Sequence, residues 1–264
     1  MPGLSRLAPW LAAVLSCLLP TLAQAQLPRV IQVCSKASEW PPYVYFVRKD
    51  GLPTPEVQGY SVQYLKAVLA AQGVQAHIEL LPWRRCQQDV AAGRVDMLLD
   101  ASLNEERRDT FLVSRVYYQM TDVYFYAKDK PPPAIASVAD LHRQAVCGLT
   151  GANFGNYGLR EAEVDASTAS LPLAMEKLKA GRCTVVLARL EIAAGHRLIN
   201  GVDYSRNPNF GWGQIPGTAP AAFHMLVSKR VPYAQELLTV LDQGIAGMAG
   251  SRQEEVLVRE FLMR

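Results

Sequence analysis

Short β-rich runs alternate with amphipathic helical runs, once before the Pro131-Pro132-Pro133 break and again after it. No other feature of the sequence constrains the fold as strongly. Residues 29–34 form the first β-rich run. Residues 59–72 place Val62, Leu65, Val68 and Leu69 at helical spacing, and Gly73 follows where a helix exit favours positive φ. Residues 75–80 alternate apolar and polar side chains as a strand does, 82–92 read as a helix ending at Gly93, and 95–99 read as a buried strand. This β-α-β-α-β order predicts a parallel sheet covered by helices. After the break, Ser137-x-x-Asp140 opens a short helix over 137–142 with a capping box, and 145–148 read as a strand. A helix follows over 171–180, with Ser170 as N-cap and Gly181 at its exit, and 184–188 form a second buried strand. In the tail, 223–228 are a last strand and Pro232 suits a helical first turn. Leu237, Leu238, Leu241 and Ile245 make an apolar stripe, and a final helix capped by Ser251-x-x-Glu254 is expected to bury Val256, Leu257 and Phe261. Two α/β units in series predict two lobes with a cleft between them. Ligands of open α/β sheets bind beyond the carboxyl ends of the strands, which would face that cleft.

Composition narrows what such a chain does. Lys and Arg number 27 against 24 Asp and Glu, a net charge of +3 over 264 residues, and no basic run is long enough to favour a nucleic-acid partner. Half of the residues are hydrophobic, which excludes a disordered chain. Residues 1–25 read as a secretory signal peptide: one charged side chain, Arg6, an apolar stretch over 7–22, and the small-x-small exit Ala23-Gln24-Ala25. A membrane anchor would need roughly 20 unbroken apolar residues, and Pro9, Ser16 and Pro20 interrupt this stretch. A lipoprotein reading through Cys17 leaves a very short apolar region. Cleavage after Ala25 removes Arg6 and leaves +3 − 1 = +2, and the mature protein is expected to be a soluble monomer in the periplasm.

Cys34, Cys86, Cys147 and Cys183 then remain. In an oxidising compartment an even count permits two bridges, with metal binding and buried thiols as the competing readings. No two of these cysteines lie within four residues of each other and none has a neighbouring His, which disfavours zinc. If the chain forms two lobes, Cys34–Cys86 and Cys147–Cys183 are the pairs that stay within a lobe.

Trp40-Pro-Pro-Tyr43, Gly59-Tyr60, Gly93-Arg-Val-Asp96, Asn104-Glu-Glu-Arg107 and Ser114-x-x-Tyr117 follow one another in order, and Ser137-x-x-Asp140-Leu141, Val146-Cys-Gly148, Gly151 and Gly181-Arg182 continue the series. The order resembles the extracellular solute-binding proteins of the amino-acid (family 3) type, the periplasmic receptors of ABC importers, over about residues 28 to 263. The resemblance implies an α/β, two-lobed periplasmic-binding-protein fold of type II. Each lobe would be a mixed, mainly parallel sheet with flanking helices, and two hinge crossovers would lie near 119–123 and 221–225. Lobe 1 would comprise residues 26–120 with 225–264, lobe 2 residues 121–224. It further implies capture of a small carboxylate-bearing ligand by hinge closure, with an inner-membrane ABC permease as partner.

The candidate site residues follow residue by residue. Arg107 matches the family arginine that pairs with a ligand carboxylate, a task its planar fork suits; the alternative is a solvated arginine paired with Glu105 or Asp109. Ser102 matches a position that helps hold the same carboxylate. Trp40 corresponds to an aromatic packing on the ligand, or else it packs in the core. Gly151, Asn153 and Phe154 match a loop whose backbone amides reach the carboxylate. Trp83 stands at a helix start near the cleft, and Tyr60 and Tyr117 are expected to pack with one wet edge.

One departure bears on the ligand. Amino-acid binders of this type place an aspartate in lobe 2 to meet the α-ammonium, and here that position is Arg189, with Thr184 at the preceding motif aspartate. A guanidinium repels an ammonium. Either the ammonium is met by Asp100, with Glu191 second, or the ligand has none. A small organic anion, with two anionic groups shared between Arg107 and Arg189, is the favoured expectation and a standard L-amino acid the runner-up. No Ser-His-Asp order, metal spacing, phosphate loop or cofactor fingerprint points to catalysis, and neither a cofactor nor a metal is expected. The rivals are a dehydratase-like enzyme using Asp100 or Glu191 as general acid, and delivery of ligand to a separate sensor.

Overall fold

A computed structural model describes residues 26–263, so the segment read as a signal peptide lies outside the described residues. The chain first lays down β1 (Val30–Lys36), β2 (Tyr45–Lys49), β3 (Leu52–Gln58), β4 (Gln75–Leu81), β5 (Met97–Ala101), β6 (Phe111–Val113) and β7 (Tyr118–Met120). Helices α1 (Tyr60–Ala70), α2 (Trp83–Ala91) and α3 (Glu105–Thr110) alternate with them. The next stretch contributes β8 (Asp122–Ala127), β9 (Val146–Leu149), β10 (Val164–Thr168), β11 (Val185–Arg189) and β12 (Phe210–Gln214), with α4 (Leu171–Lys179), α5 (Leu190–Gly195) and α6 (Arg197–Asn200). The chain returns through β13 (Ala221–Ser228) and ends in α7 (Ala234–Met248) and α8 (Arg252–Leu257).

The first sheet runs β4-β1-β5-β13-β6, with β7 also paired to β13. Its β1 is parallel to β4 and β5, whereas the returning β13 is antiparallel to its neighbours. The second sheet runs β10-β9-β11-β8-β12, with β9, β10 and β11 parallel and β8 antiparallel. The chain passes from one sheet to the other between Met120 and Asp122 and returns between Gln214 and Ala221.

Burial explains why these strands sit where they do. β1 begins half-solvated and becomes continuously buried over Val33, Cys34 and Ser35, so its carboxyl end leads into the interior. β5 is buried at every residue, as a central strand covered on both faces must be. A disulfide joins Cys34 on β1 to Cys86 on α2, and another joins Cys147 on β9 to Cys183 before β11, each with Cα atoms 5.8 Å apart. Helix α7 lies on α1, and Gly244 permits the approach: a Cβ there would come within 2.3 Å of Val68 Cγ1.

Three local readings need correction. Pro232 precedes the N-cap Tyr233 rather than entering the first turn of α7. Val256 is 53% exposed while Leu257 and Phe261 are buried: Val256 falls on the solvent side of α8, and beyond it the chain widens into a π turn over Val258–Leu262 that carries Phe261. The β2–β3 ribbon has no counterpart among the expected elements. Its turn, Asp50-Gly51, has positive φ at both residues (54° and 78°), which suits a tight hairpin. Among the described residues no helix is long and apolar enough to cross a membrane.

Candidate functional site

The two sheets aim strand ends at a common cavity. The first half supplies Lys36, Trp40, Trp83, Asp100, Ser102, Arg107 and Phe223 to its wall. The second supplies the loop from Gly151 to Phe154, Tyr157, and the end of β11 through Arg189. Of the candidate residues, Trp40, Trp83, Asp100, Ser102, Arg107, Gly151, Asn153, Phe154 and Arg189 are brought together here. Tyr60 is not. Its ring packs among Tyr43, Tyr64 and Tyr118, and its hydroxyl lies 3.5 Å from Glu254 on the terminal helix.

Arg107 sits in the short α3, whose N-cap Asn104 accepts from the Arg107 amide at 2.9 Å. The side chain is buried. Nη1 donates to the Ser102 carbonyl (2.7 Å), Nη2 to the Gly151 carbonyl of the other half (3.2 Å), and Nε to Gln87 Oε1 (3.2 Å). Burial holds its pKa down to about 10. Among the described residues no carboxylate forms an ion pair with it, so neither Glu105 nor Asp109 is its partner.

Asp100 ends β5 with φ of 63° and lies almost wholly inside the protein. Four hydroxyls converge on its carboxylate: Ser35 Oγ at 3.1 Å, Tyr117 Oη at 2.7 Å, Tyr118 Oη at 2.9 Å, and Ser61 Oγ. Burial pushes its pKa up and these hydroxyls pull it down. Tyr117 is thus a hydrogen-bonding member of this cluster as well as a packing residue, and its hydroxyl also accepts from the Asp100 amide at 3.3 Å.

Arg189 lines the cavity but carries its own counter-ion. Asp122 faces it across the β8–β11 ladder, and the two side chains form an ion pair. A second guanidinium bond reaches Tyr157 Oη, with the Arg189 Cζ 5.0 Å from the Tyr157 ring centre. Burial raises the Asp122 pKa and Arg189 opposes it. The sequence gives no sign of Asp122, since the pairing is a matter of strand register.

Glu191 leaves the site altogether. Both its oxygens accept from the Thr121 amide at 3.0 Å, and one accepts from Thr121 Oγ1 at 2.9 Å, which clamps α5 to the first crossover. Lys36 enters instead. It is half-buried at the end of β1, with Nζ 3.6 Å from the Trp40 ring centre and 4.9 Å from that of Trp83. Burial and the Arg107 charge hold its pKa down to about 7. A lysine at the carboxyl end of the first strand was the available signal, since that is where open α/β sheets place their ligands.

The cavity is shut. Asn153 Nδ2 donates to the Leu103 carbonyl at 2.7 Å, Arg84 pairs with Glu161 at 2.8 Å, and Arg107 reaches Gly151, all between halves. Gly151 has φ of 71° and passes so close to Trp83 that a Cβ would lie 3.0 Å from its Cδ1. Phe154 packs on Gly148 in the same way and forms part of the second half's core. Trp40 Nε1 is buried without a hydrogen-bond partner. Among the described residues no group of three or more His, Cys, Asp or Glu could hold a metal ion.

Comparison with known proteins places this geometry in context. The family described as Bacterial extracellular solute-binding proteins, family 3, matches residues 31–263. No protein among curated sequences matches. Among solved structures, the substrate-binding protein of an amino acid ABC transporter is similar with a TM-score of 0.70 at 19% identity, over 89% of this chain and 100% of that one. The arginine-, lysine-, histidine-binding protein ArtJ from Geobacillus stearothermophilus gives 0.68 at 17% identity, over 89% and 95%. A histidine kinase sensor domain with similarity to periplasmic binding proteins gives 0.70 at 22%, over 89% and 96%. At these identities the likeness is one of fold.

Proposed function

This chain belongs to the bacterial extracellular solute-binding proteins, family 3, and from that premise we infer that its cleft captures a small organic anion by hinge closure in the periplasm. The two-lobed, type II periplasmic-binding-protein fold supplies the means. The hinge is formed by the crossovers 120–122 and 214–221, with lobe 2 between them. A ligand held on lobe 1 gains the Gly151–Phe154 loop as the lobes shut, and the closed form is favoured by those added contacts.

One observation carries the choice of an anion: Arg107 is a buried guanidinium whose hydrogen bonds go to carbonyl and amide oxygens, and among the described residues no carboxylate forms an ion pair with it, Glu106 acting only through its field. A ligand carboxylate supplies the missing negative charge, and its two oxygens match the guanidinium fork. Asp100, the candidate for an ammonium partner, already has four hydroxyl donors. The family and the solved neighbours are binding proteins, and we assign no catalysis to the cleft. An ABC-type permease is the proposed recipient. The likeness to a histidine kinase sensor domain supports a second recipient, a separate sensor that reads the closed form.

The experiment is a ligand screen by thermal shift on the mature chain, followed by calorimetry on wild type and Arg107→Ala. Carboxylates without an ammonium group are expected to raise Tm, and Arg107→Ala to weaken their binding about 100-fold or more while leaving the fold intact. Stabilisation by ordinary L-amino acids alone would reject the organic-anion reading in favour of an amino-acid ligand. Unchanged affinity in Arg107→Ala would remove that residue from the site.

A further inference from the structure

We infer that Lys36 is the contact for a second anionic group, so that the cleft prefers dicarboxylates to monocarboxylates and excludes cationic solutes; this rests on the reading of the cleft as an anion site. Its side chain lines both the inner cavity and an outer pocket beside Trp83 and Arg84. A ligand anchored on Arg107 and reaching outward meets Lys36. Among the described residues it forms no ion pair with a carboxylate; its described partners are the two indole faces, at 3.6 and 4.9 Å.

The other charged groups leave this role to Lys36. Arg189 is ion-paired with Asp122, although its Nε has no hydrogen-bond partner, and Asp100 is enclosed by hydroxyls. Trp40 Nε1, buried and unpartnered, adds a hydrogen-bond donor on the residue that Lys36 covers. The same arrangement excludes cations. An aromatic pair attracts a ligand cation through its ring faces, and here the chain's own ammonium occupies both faces.

The cleft also makes this contact sensitive to protons. Arg107 and Arg189 disfavour the charged ammonium, Asp100 favours it, and Tyr157 and Arg84 are the remaining ionisable groups of the two pockets. Burial is the largest influence, and the pKa falls to about 7. Above that pH the empty cleft holds largely neutral Lys36, and an arriving anion draws a proton onto it.

The test titrates the full mature chain calorimetrically with straight-chain dicarboxylates of four to seven carbons, with their half-amides, and with L-arginine, in buffers of different ionisation enthalpy at pH 8. Wild type is expected to bind its best dicarboxylate about tenfold or more tighter than the matching half-amide, with uptake of a proton and no binding of L-arginine. Lys36→Met should abolish both the preference and the uptake. Lys36→Arg should keep the preference without the uptake, because a guanidinium stays charged. Equal binding of dicarboxylate and half-amide by wild type, with no change in Lys36→Met, would overturn the role of Lys36 and leave the anion reading standing. Failure of every carboxylate, or binding of L-arginine alone, would overturn both.

Discussion

Arg107 in lobe 1 and Arg189 in lobe 2 are buried to nearly the same degree, 5% and 7% exposed, and both line the cleft. Their surroundings differ in one respect. Arg189 has Asp122 paired with it from the neighbouring strand, although its Nε has no hydrogen-bond partner, whereas Arg107 is bonded to carbonyl oxygens and Gln87 and feels Glu106 only through its field. Depth of burial therefore gives no ground for proposing one of them rather than the other as the ligand contact. Charge compensation does, because an ion pair completed within the protein leaves little charge for a ligand, and an uncompensated cation waits for one. On the proposal made above, the second of the two anionic groups expected to be shared between these arginines falls to Lys36 instead.

The largest effect should come from breaking the compensated side. Asp122→Ala strands a buried guanidinium and is expected to cost about 3–5 kcal/mol, read as a lower midpoint in urea. The double variant Asp122→Leu/Arg189→Met should recover most of that loss, since apolar side chains of similar volume often replace a buried pair at little cost. If Asp122→Ala were as stable as wild type, the pairing would carry no weight and Arg189 would again be free to serve a ligand.

What the sequence made legible follows the same division. Motif order located Arg107, Trp40 and the Gly151–Phe154 loop because these depend on local spacing. Asp122 escaped, since its partner lies 67 positions along the chain and meets it only through the antiparallel β8–β11 register. Lys36 was legible in principle, as a cation at the end of the first strand, yet nothing local distinguishes it from a solvated lysine. Tyr60 was misplaced for a related reason. The Gly59-Tyr60 motif fixes a backbone approach: a Cβ on Gly59 would come 2.2 Å from the Tyr43 carbonyl oxygen. It does not say which way the ring turns. The hairpin was announced by Asp50-Gly51 but obscured by Pro53 and Pro55 in its second strand.

A smaller effect is expected at Asp100. An amide offers one acceptor oxygen in place of two and turns an N–H toward hydroxyls that are themselves donating, so Asp100→Asn should cost about 1–3 kcal/mol. The backbone is not the obstacle, because asparagine tolerates a φ of 63°. The useful readout is binding. On the anion reading, affinity for a dicarboxylate should hold or rise when this negative charge is removed. A loss of about tenfold for α-amino acids, with carboxylates unaffected, would instead make Asp100 the partner of a ligand ammonium.

The smallest effect is opposite in sign. Lys36 has a pKa of about 7 in the folded protein against 10.5 for a free side chain. Between those values the unfolded chain holds a proton that the native protein does not, so stability rises with pH across that window. Below pH 7 the half-buried ammonium carries its charge beside that of Arg107. Lys36→Met removes that charge and keeps the apolar stem against Trp40 and Trp83. With no ligand present the variant should be more stable than wild type at pH 6, by on the order of 1 kcal/mol once solvent screening of a half-buried group is counted. The gain should shrink as pH rises toward 10, which paired urea titrations at pH 6 and pH 10 would measure. A gain of equal size at both pH values would attribute it to packing, and a loss at pH 6 would mean that Lys36 already has its charge compensated, contrary to the contrast between the lobes.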